Sequence, residues 1–317
     1  MKHLSLSEIA LWLQEHDNYV ILTHRRPDGD TIGCACALTR GLRQLGKQAA
    51  ILQNPQFTEK YRPFYQDLTT GEIGRESIVL SVDIAAETLF PFSYDGKSPV
   101  RLLIDHHGSN TGFAELGFVH GDYAACGEII MKLLEELQVS PDPKIAEAIY
   151  LAVSTDTGCF RYSNVTANTL RVAAQCKEWG ADTFPINQVM FMTKRMARLQ
   201  LEAQLTRNTE FFAGGKVAIS AITDEMRREL GITEDDIDDI SGFCREIDGV
   251  EIGVMLRQES EGGKISVRTS PNYDACAICA LMGGGGHHAA AGATVKGGVT
   301  EARASVLRAI ETYGVKL

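Results

Sequence analysis

The sequence predicts an α/β protein in which a parallel-sheet domain is joined by a helical linker to a smaller α+β domain. Short apolar segments alternate with segments of helical period in the first part of the chain, which is typical of a parallel sheet covered by helices on both faces. Paired strands and glycine turns follow in the last part. The 317 residues suit two domains, since one domain usually takes roughly 100–200. We assign 1–185 to the first domain, 186–209 to the linker and 210–317 to the second domain.

The elements of the first domain follow from apolar runs and helix-start signals. Apolar stretches that end in polar residues predict buried strands at Tyr19–Thr23, Gln48–Gln53, Ser77–Val82 and Val100–Ile104. Ser5-Leu6-Ser7-Glu8 is a capping pattern at the start of the first helix, and Gly46 ends the second. We expect helices at Ser7–Glu15, Asp30–Gly46, Cys126–Leu137, Pro143–Ser154 and Asn168–Gly180.

The linker is predicted to be one amphipathic helix, Pro185–Arg207, because it contains neither glycine nor proline after its first residue. In the second domain, the Gly214-Gly215 turn should join two strands. We expect strands at Glu210–Ala213, Lys216–Ala221, Val250–Gln258, Lys264–Thr269 and Ala293–Val295. We expect helices at Asp235–Phe243, Tyr273–Met282 and Thr300–Tyr313, with a glycine loop after the second of these.

Charge and composition exclude several classes of function. A net charge of −10 and a pI of about 5.3 argue against a protein that binds long duplex nucleic acid, which usually presents a basic face. A short phosphorylated substrate stays compatible, because bound divalent cations reverse the charge of an acidic site. No apolar run approaches the roughly 20 residues that span a membrane, and no signal peptide is recognisable. Eight scattered cysteines fit reduced thiols in the cytoplasm better than a disulfide framework.

Aspartate and histidine residues lie at the ends of four apolar stretches. Any one of these groups could be a solvated loop or a helix cap. If the stretches belong to one parallel sheet, however, their ends meet in one crevice. The residues concerned are His24, Asp28, Asp30, Asp83, the run Asp105-His106-His107, and Asp156.

Carboxylates crowded in this way repel one another unless cations neutralise them. Two divalent metal ions about 3.5–4 Å apart, bridged by one carboxylate, satisfy such a cluster. Mixed imidazole and carboxylate ligands suit Mn²⁺ better than Mg²⁺, with Mg²⁺ and Co²⁺ as the alternatives. The expected chemistry is activation of water for attack at phosphorus.

A glycine run in the second domain is a candidate anion site. Four glycines, Gly283–Gly286, precede His287 and permit close approach of the backbone to a phosphate. The alternative is a tight turn between a helix and a strand. Because Arg268 precedes the run and a metal site is expected in the other domain, we favour substrate binding for His287 and not for His288.

These motifs together resemble the DHH phosphoesterase family, which is named for the run Asp105-His106-His107. The family's other motifs resemble His24-Arg-Arg-Pro-Asp28-Gly-Asp30, Val82-Asp83-Ile84-Ala85 and Ser154-Thr155-Asp156-Thr157-Gly158. Arg268 and the segment Gly283–Gly292 are similar to the signature of the DHHA1 domain. The resemblance covers nearly the whole chain and is strongest to the two-domain members that act as oligoribonuclease and pAp phosphatase. One departure is Tyr123–Glu128, where relatives often carry small hydroxyl residues.

The resemblance implies a role for each site residue. One metal ion would bind His24, Asp28 and Asp83, and the other would bind Asp30, Asp83, His106 and Asp156, with Asp83 as the bridge. His107 would contact the scissile phosphate or the leaving oxygen, and Asp105 would orient a histidine ligand. The rest of the substrate would be held in an inter-domain cleft by Arg268, Gly285, Gly286 and His287.

The resemblance implies an enzyme that hydrolyses very short oligoribonucleotides to nucleoside monophosphates and pAp to AMP, with two Mn²⁺ ions. It also suggests a homodimer. A phosphodiesterase for cyclic di-AMP or the linear dinucleotide pApA is the alternative, because the metal motifs do not separate these substrates. The glycine-histidine domain argues against an inorganic pyrophosphatase. The full set of ligand residues argues against a non-catalytic nucleotide-binding module.

Overall fold

The computed structural model describes residues 1–237, 239–259 and 262–317, and these divide into two compact units, Met1–Thr193 and Lys194–Leu317. Within these ranges the first unit holds a seven-stranded parallel sheet and the second a six-stranded mixed sheet, which confirms the predicted fold class. Among the described helices, none is both long and apolar enough to cross a membrane.

The first unit alternates strands and helices. Its strands are β1 Lys2–His3, β2 Tyr19–Leu22, β3 Ala49–Leu52, β4 Thr69–Thr70, β5 Ile78–Val82, β6 Val100–Asp105 and β7 Leu116–Val119. Its helices are α1 Leu6–Glu15, α2 Gly29–Gln44, α3 Arg62–Tyr65, α4 Cys126–Glu136, α5 Pro143–Asp156, α6 Ala167–Glu178 and α7 Thr183–Asn187. Short 3₁₀ helices at Glu59–Tyr61 and Glu87–Leu89 and a π-helical turn at Gln188–Met192 complete the unit. The strands β1, β4 and β7 were not predicted, because they are short and mostly not buried.

The strand order of this sheet is β1-β7-β6-β5-β2-β3-β4, and every pair is parallel. Three central neighbours, β2, β5 and β6, therefore end at the same edge. Leu22 pairs with Ser81, and Val82 pairs with Ile104. His24 and Asp83 lie in the segments that follow β2 and β5, and the Asp105-His106-His107 run begins at the last residue of β6, so the sheet places three of the four predicted groups side by side.

Asp156 reaches this edge by a different route from the one predicted. It is the last residue of α5, not a residue that follows a strand of the sheet. Helix α5 packs directly against α2. The contact at Gly33 is so close that a Cβ atom added there would lie 2.3 Å from the Ala148 carbonyl oxygen. A Cβ atom on Gly29 would likewise come within 2.3 Å of Thr155 Oγ1. Close helix contact therefore brings the end of α5 to the start of α2.

The second unit is built on the sheet β12-β13-β11-β10-β9-β8. Its strands are β8 Glu210–Phe212, β9 Val217–Ile222, β10 Ile252–Glu259, β11 Gly262–Thr269, β12 Gly285–His287 and β13 Ala290–Val295. Its helices are α8 Met196–Asn208, α9 Asp224–Leu230, α10 Ala275–Ala280 and α11 Val299–Tyr313, with 3₁₀ helices at Ala213–Gly215, Glu234–Asp236 and Ile240–Glu246. Strand β12 lies in the segment predicted as a glycine loop.

The prediction of one continuous helix over Pro185–Arg207, which was to form the 186–209 linker, is wrong. The helix is interrupted at Thr193, where the backbone is extended, and α8 begins after Arg195. Arg195 Nη1 lies 2.5 Å from Asp236 Oδ2 and Arg198 Nη1 lies 2.6 Å from Asp239 Oδ1. These ion pairs, with the buried Leu201 and Leu205, fix α8 within the second unit. Tertiary contacts thus override helix propensity.

The predicted α-helix Asp235–Phe243 is also wrong, since 3₁₀ segments lie on either side of Asp238, which is itself outside the described residues. Asp236 Oδ2 accepts hydrogen bonds from the Thr233 amide at 2.8 Å and from Arg195 Nη1 at 2.5 Å. Such side-chain bonds close a short turn and compete with helix propagation.

Candidate metal centre

The loop between β2 and α2 presents His24 and Asp28, and the first turn of α2 presents Asp30. Asp28 caps α2, since its Oδ1 accepts the amides of Asp30 at 3.1 Å and Thr31 at 3.2 Å. His24 Nδ1 lies 3.0 Å from the Arg25 carbonyl oxygen, while its Nε2 lies 3.4 Å from Asp28 Oδ1. Asp28 is therefore both a helix cap and a neighbour of the imidazole. Burial opposes ionisation of Asp28, but His24 and the Thr31 amide outweigh it and lower the pKa of the carboxyl.

Asp83 lies at the centre of the cluster. It is 2% exposed and has a left-handed backbone with φ of 57°, a conformation that costs energy for a residue other than glycine. Its Oδ1 is buried and has no hydrogen-bond partner among the described residues. That oxygen lies 3.5 Å from His106 Nε2, and Oδ2 lies 3.8 Å from His24 Nε2. Burial and the neighbouring charges of Asp30 and Asp28 raise the pKa of Asp83 well above its usual range.

His106 connects Asp83 with two further carboxylates. Its Nε2 lies 3.7 Å from Asp30 Oδ2 and 3.5 Å from Asp156 Oδ2. Its Nδ1 lies 3.1 Å from the Tyr123 carbonyl oxygen. Burial and the charge of Asp28 raise the pKa of Asp30 to about 6, against the opposing effect of His106. Burial and Asp30 raise the pKa of Asp156 to about 7, so these carboxylates resist ionisation together.

Asp105 contacts the His107 side chain. Its Oδ1 lies 2.7 Å from His107 Nδ1 and accepts the His106 amide at 2.8 Å. Its Oδ2 accepts the Asn110 amide group at 2.6 Å. Burial opposes ionisation, yet the contact with His107 and the bond from Asn110 lower the pKa of Asp105. The ring that Asp105 orients is therefore that of His107, whereas the resemblance implied a histidine that binds metal.

Three residues that sequence reasoning missed support the cluster. Asn110 holds Asp105, as above. Cys34 donates its thiol to Asp30 Oδ1 at 3.2 Å. Asn164 Nδ2 donates to the carbonyl oxygens of Ala124 at 3.0 Å and Asp156 at 3.1 Å. An asparagine shortly after a motif is the signal in the sequence for Asn110 and Asn164, but that signal is common in loops, and Cys34 has no such signal.

The donor set fits divalent cations. The Nδ1–H groups of His24 and His106 donate to backbone carbonyls, so the Nε2 lone pairs face carboxylate oxygens, which are also acceptors. Acceptor atoms that face one another repel unless a cation or a shared proton lies between them. Asp83 Oδ1 is one such acceptor, since it has no hydrogen-bond donor among the described residues. Within the described chain, the convergent groups are His24-Asp28-Asp83, Asp30-His106-Asp156 and Asp83-His106-His107.

The substrate-binding residues predicted in the second unit lie on β11 and β12, the two strands that flank β13. Arg268 on β11 and His287 on β12 both pair with Ala290 of β13, so the register places their side chains on one face of the sheet. Arg268 Nη2 donates to Ser241 Oγ at 3.2 Å. Gly285 pairs with Gly292 on the same face, next to this row.

Gly285 and Gly286, the two glycines predicted to bind substrate, differ in whether packing requires a glycine at that position. Gly286 has φ of 146°, and a Cβ atom there would lie 2.6 Å from the Ala290 carbonyl oxygen, so packing of β12 on β13 requires glycine. Gly285 is exposed, and no described atom lies within 4 Å of a Cβ built on it. Packing does not explain Gly285, whereas it does explain Gly286.

The chain matches two family models, the N-terminal domain of the DHH family at residues 18–153 and the DHHA1 domain at residues 214–314. The chain belongs to the DHH family and is a metal-dependent phosphoesterase. It is similar to the bifunctional oligoribonuclease and PAP phosphatase NrnA of Thermus thermophilus, with 32% identity over 283 residues, 87% of this chain and 84% of that protein.

Solved structures share the fold. An exopolyphosphatase-related protein from Bacteroides fragilis superposes with a TM-score of 0.85 at 23% identity, and the match covers 97% of this chain and 96% of that one. The exonuclease RecJ bound to manganese superposes with a TM-score of 0.54 at 13% identity, and the match covers 100% of this chain and 96% of that one.

Proposed function

We propose that this protein hydrolyses very short oligoribonucleotides to nucleoside monophosphates, and pAp to AMP, with two Mn²⁺ ions. The observation that carries the proposal is the cluster of three aspartates and two histidines around Asp83, whose buried Oδ1 lacks a hydrogen-bond donor among the described residues. Similarity to the Thermus thermophilus oligoribonuclease and PAP phosphatase over most of both chains supports the choice of substrate.

Each side chain has a role in this proposal. His24, Asp28 and Asp83 hold one ion, and Asp83 also joins the set that holds the other, which consists of Asp30, Asp83, His106 and Asp156. Bound ions of this kind lower the pKa of water and neutralise charge that develops on a phosphoryl group. The protein's own contribution is to fix the donors, since the Nδ1 atoms of both histidines are held by backbone carbonyls.

His107 contacts the substrate in this proposal, and Asp105 orients its ring. Because Asp105 occupies His107 Nδ1 at 2.7 Å, we assign His107 Nε2 to the scissile phosphate or the leaving oxygen. The lowered pKa of Asp105 keeps it ionised at neutral pH, so it stabilises a positive charge on the imidazole. His107 can then donate a proton as the leaving oxygen gains charge.

We assign recognition of the remaining part of the substrate to Arg268, Gly285, Gly286 and His287. A guanidinium and an imidazole on one sheet face, beside glycine backbone, suit a second phosphate and its nucleoside. A substrate with only one or two nucleotides beyond the scissile phosphate can fill such a site. We also place the protein in a reducing cytoplasm, since all eight cysteines are free thiols.

The test is a substrate panel assayed with Mn²⁺, Mg²⁺ and Co²⁺ in parallel. It should contain pAp, RNA of two to five nucleotides, RNA 24-mers, cyclic di-AMP and pApA. We expect short RNA and pAp to be turned over fastest, and Mn²⁺ to support the highest rate. Equal rates on 24-mers and trimers would overturn the length preference. Faster turnover of cyclic di-AMP than of pAp or trimers would replace this function with that of a cyclic dinucleotide phosphodiesterase.

A further inference from the structure

The carboxylate of Asp30 is held by three donors. Oδ2 accepts the Cys126 amide at 2.7 Å, and Oδ1 accepts the Gly127 amide at 3.0 Å. These amides begin α4, whose own N-cap residue, Ala125, makes no side-chain cap, so Asp30 caps this helix. The third donor is the thiol of Cys34, one turn further along α2, at 3.2 Å from Oδ1.

The three bonds leave the two oxygens of Asp30 unequal. A carboxylate oxygen accepts about two hydrogen bonds. Oδ1 already receives the Gly127 amide and the Cys34 thiol, whereas Oδ2 receives the Cys126 amide alone. Oδ2 is also the oxygen that lies 3.7 Å from His106 Nε2. Only Oδ2 therefore retains a lone pair on the side of the cluster.

We propose that Cys34 is a positioning residue for one of the two metal ions, and that its thiol makes Asp30 bind through Oδ2 alone. The inference rests on the two-metal site of the proposed function. Without the thiol, Oδ1 has an unused lone pair and the carboxylate is less firmly held. Groups that hydrogen-bond a metal ligand typically change metal affinity by about 10–100-fold. The competing role of Cys34 is packing alone, since it is fully buried.

The chain offers a matched control for packing. Cys36 lies two residues further along α2 and is also fully buried. Titration calorimetry of the metal-free protein with MnCl₂ should compare Cys34→Ala, Cys34→Ser and Cys36→Ala. We expect Cys34→Ala to weaken one of the two manganese ions by about tenfold or more, while Cys34→Ser, which keeps a donor, stays within about twofold of the parent. Cys36→Ala should bind both ions like the parent.

Thermal unfolding in EDTA separates packing from positioning. Both alanine variants should lose similar stability without metal, because each removes one buried sulfur. Unchanged manganese affinity in Cys34→Ala, or an equal loss in Cys36→Ala, would overturn the proposal. Should Cys34→Ala not fold, Cys34→Thr and Cys34→Val have the same shape and differ in the donor, and equal affinities in that pair would overturn it as well. If the parent protein binds no manganese, the proposed function fails first, and this inference fails with it.

Discussion

Asp105 Oδ1 lies 2.7 Å from His107 Nδ1. His106, which lies between these two residues in the sequence, instead places its Nε2 3.5 Å from Asp83 Oδ1. The Nδ1 atoms of these adjacent histidines thus have different hydrogen-bond partners, the Asp105 carboxylate for His107 and the Tyr123 carbonyl oxygen for His106. The ring with a carboxylate partner is suited to proton transfer, and the ring with a carbonyl partner is suited to metal binding.

Asp105→Asn should reduce kcat by about 100-fold or more, because a neutral amide no longer stabilises the positive charge on the His107 imidazole from which the proton is donated. Manganese affinity measured by calorimetry should stay near that of the parent. Asn110→Ala, which removes the donor to Asp105 Oδ2 together with the bonds of Asn110 to Ile84 and Gly112, leaves the Asp105 carboxylate in place and is the milder comparison. An unchanged kcat in Asp105→Asn would remove His107 from the proton-transfer role.

Asp83→Asn should abolish turnover and weaken both manganese ions, since one residue serves both sets in the proposed site. Asparagine tolerates the left-handed backbone at φ of 57°, so the variant should fold. The metal-free variant should melt about 2–4 °C higher, because burial and the charges of Asp30 and Asp28 oppose an ionised carboxylate at this position but not a neutral amide. Calorimetry measures the manganese affinity, and thermal unfolding in EDTA measures the stability of the metal-free variant. If either manganese ion binds as tightly as in the parent, Asp83 does not bridge the two ions.

Gly33→Ala should destabilise the first unit by about 1–3 kcal/mol, since its Cβ atom would meet the Ala148 carbonyl oxygen at 2.3 Å. The same change should weaken manganese binding, because α5 carries Asp156 and must move away. Denaturant unfolding and calorimetry measure the two effects. Gly242→Ala is the control, as its nearest neighbour is a flexible Glu246 oxygen at 3.9 Å. Equal stability in the two variants would show that close contact between α2 and α5 is not needed.

Gly285→Ala should leave the unfolding midpoint unchanged but raise KM for pAp and dinucleotides, because a methyl group would occupy the face shared by Arg268 and His287. Turnover of bis-p-nitrophenyl phosphate, which lacks a second phosphate and a nucleoside, should stay the same. Gly286→Ala should instead lower the midpoint, given its φ of 146°. A parent-like KM in Gly285→Ala would place substrate recognition elsewhere.

Much of the fold could be predicted because its strands are continuous apolar runs. Strands β2, β5 and β6 lie within about one residue of the predicted ranges, and the candidate site residues His24, Asp83 and Asp105 lie at or just after their ends. Interruptions decided by distant partners could not be predicted. The linker helix breaks at Thr193 because Arg195 and Arg198 pair with acids some 40 positions away. Strand β12 was read as a loop, since three residues with two glycines carry no periodic signal.

The sequence by itself determined the chemistry of the site, since residue type settles which groups can bind metal or move a proton, and apolar runs settle which edge of a sheet they reach. The tertiary structure alone decided which of these side chains contact one another. Asp156 joins them through helix contact at Gly29 and Gly33, and Asp105 selects His107 over His106. Such choices depend on contacts that form only when the chain has folded, and no local pattern in the sequence encodes them.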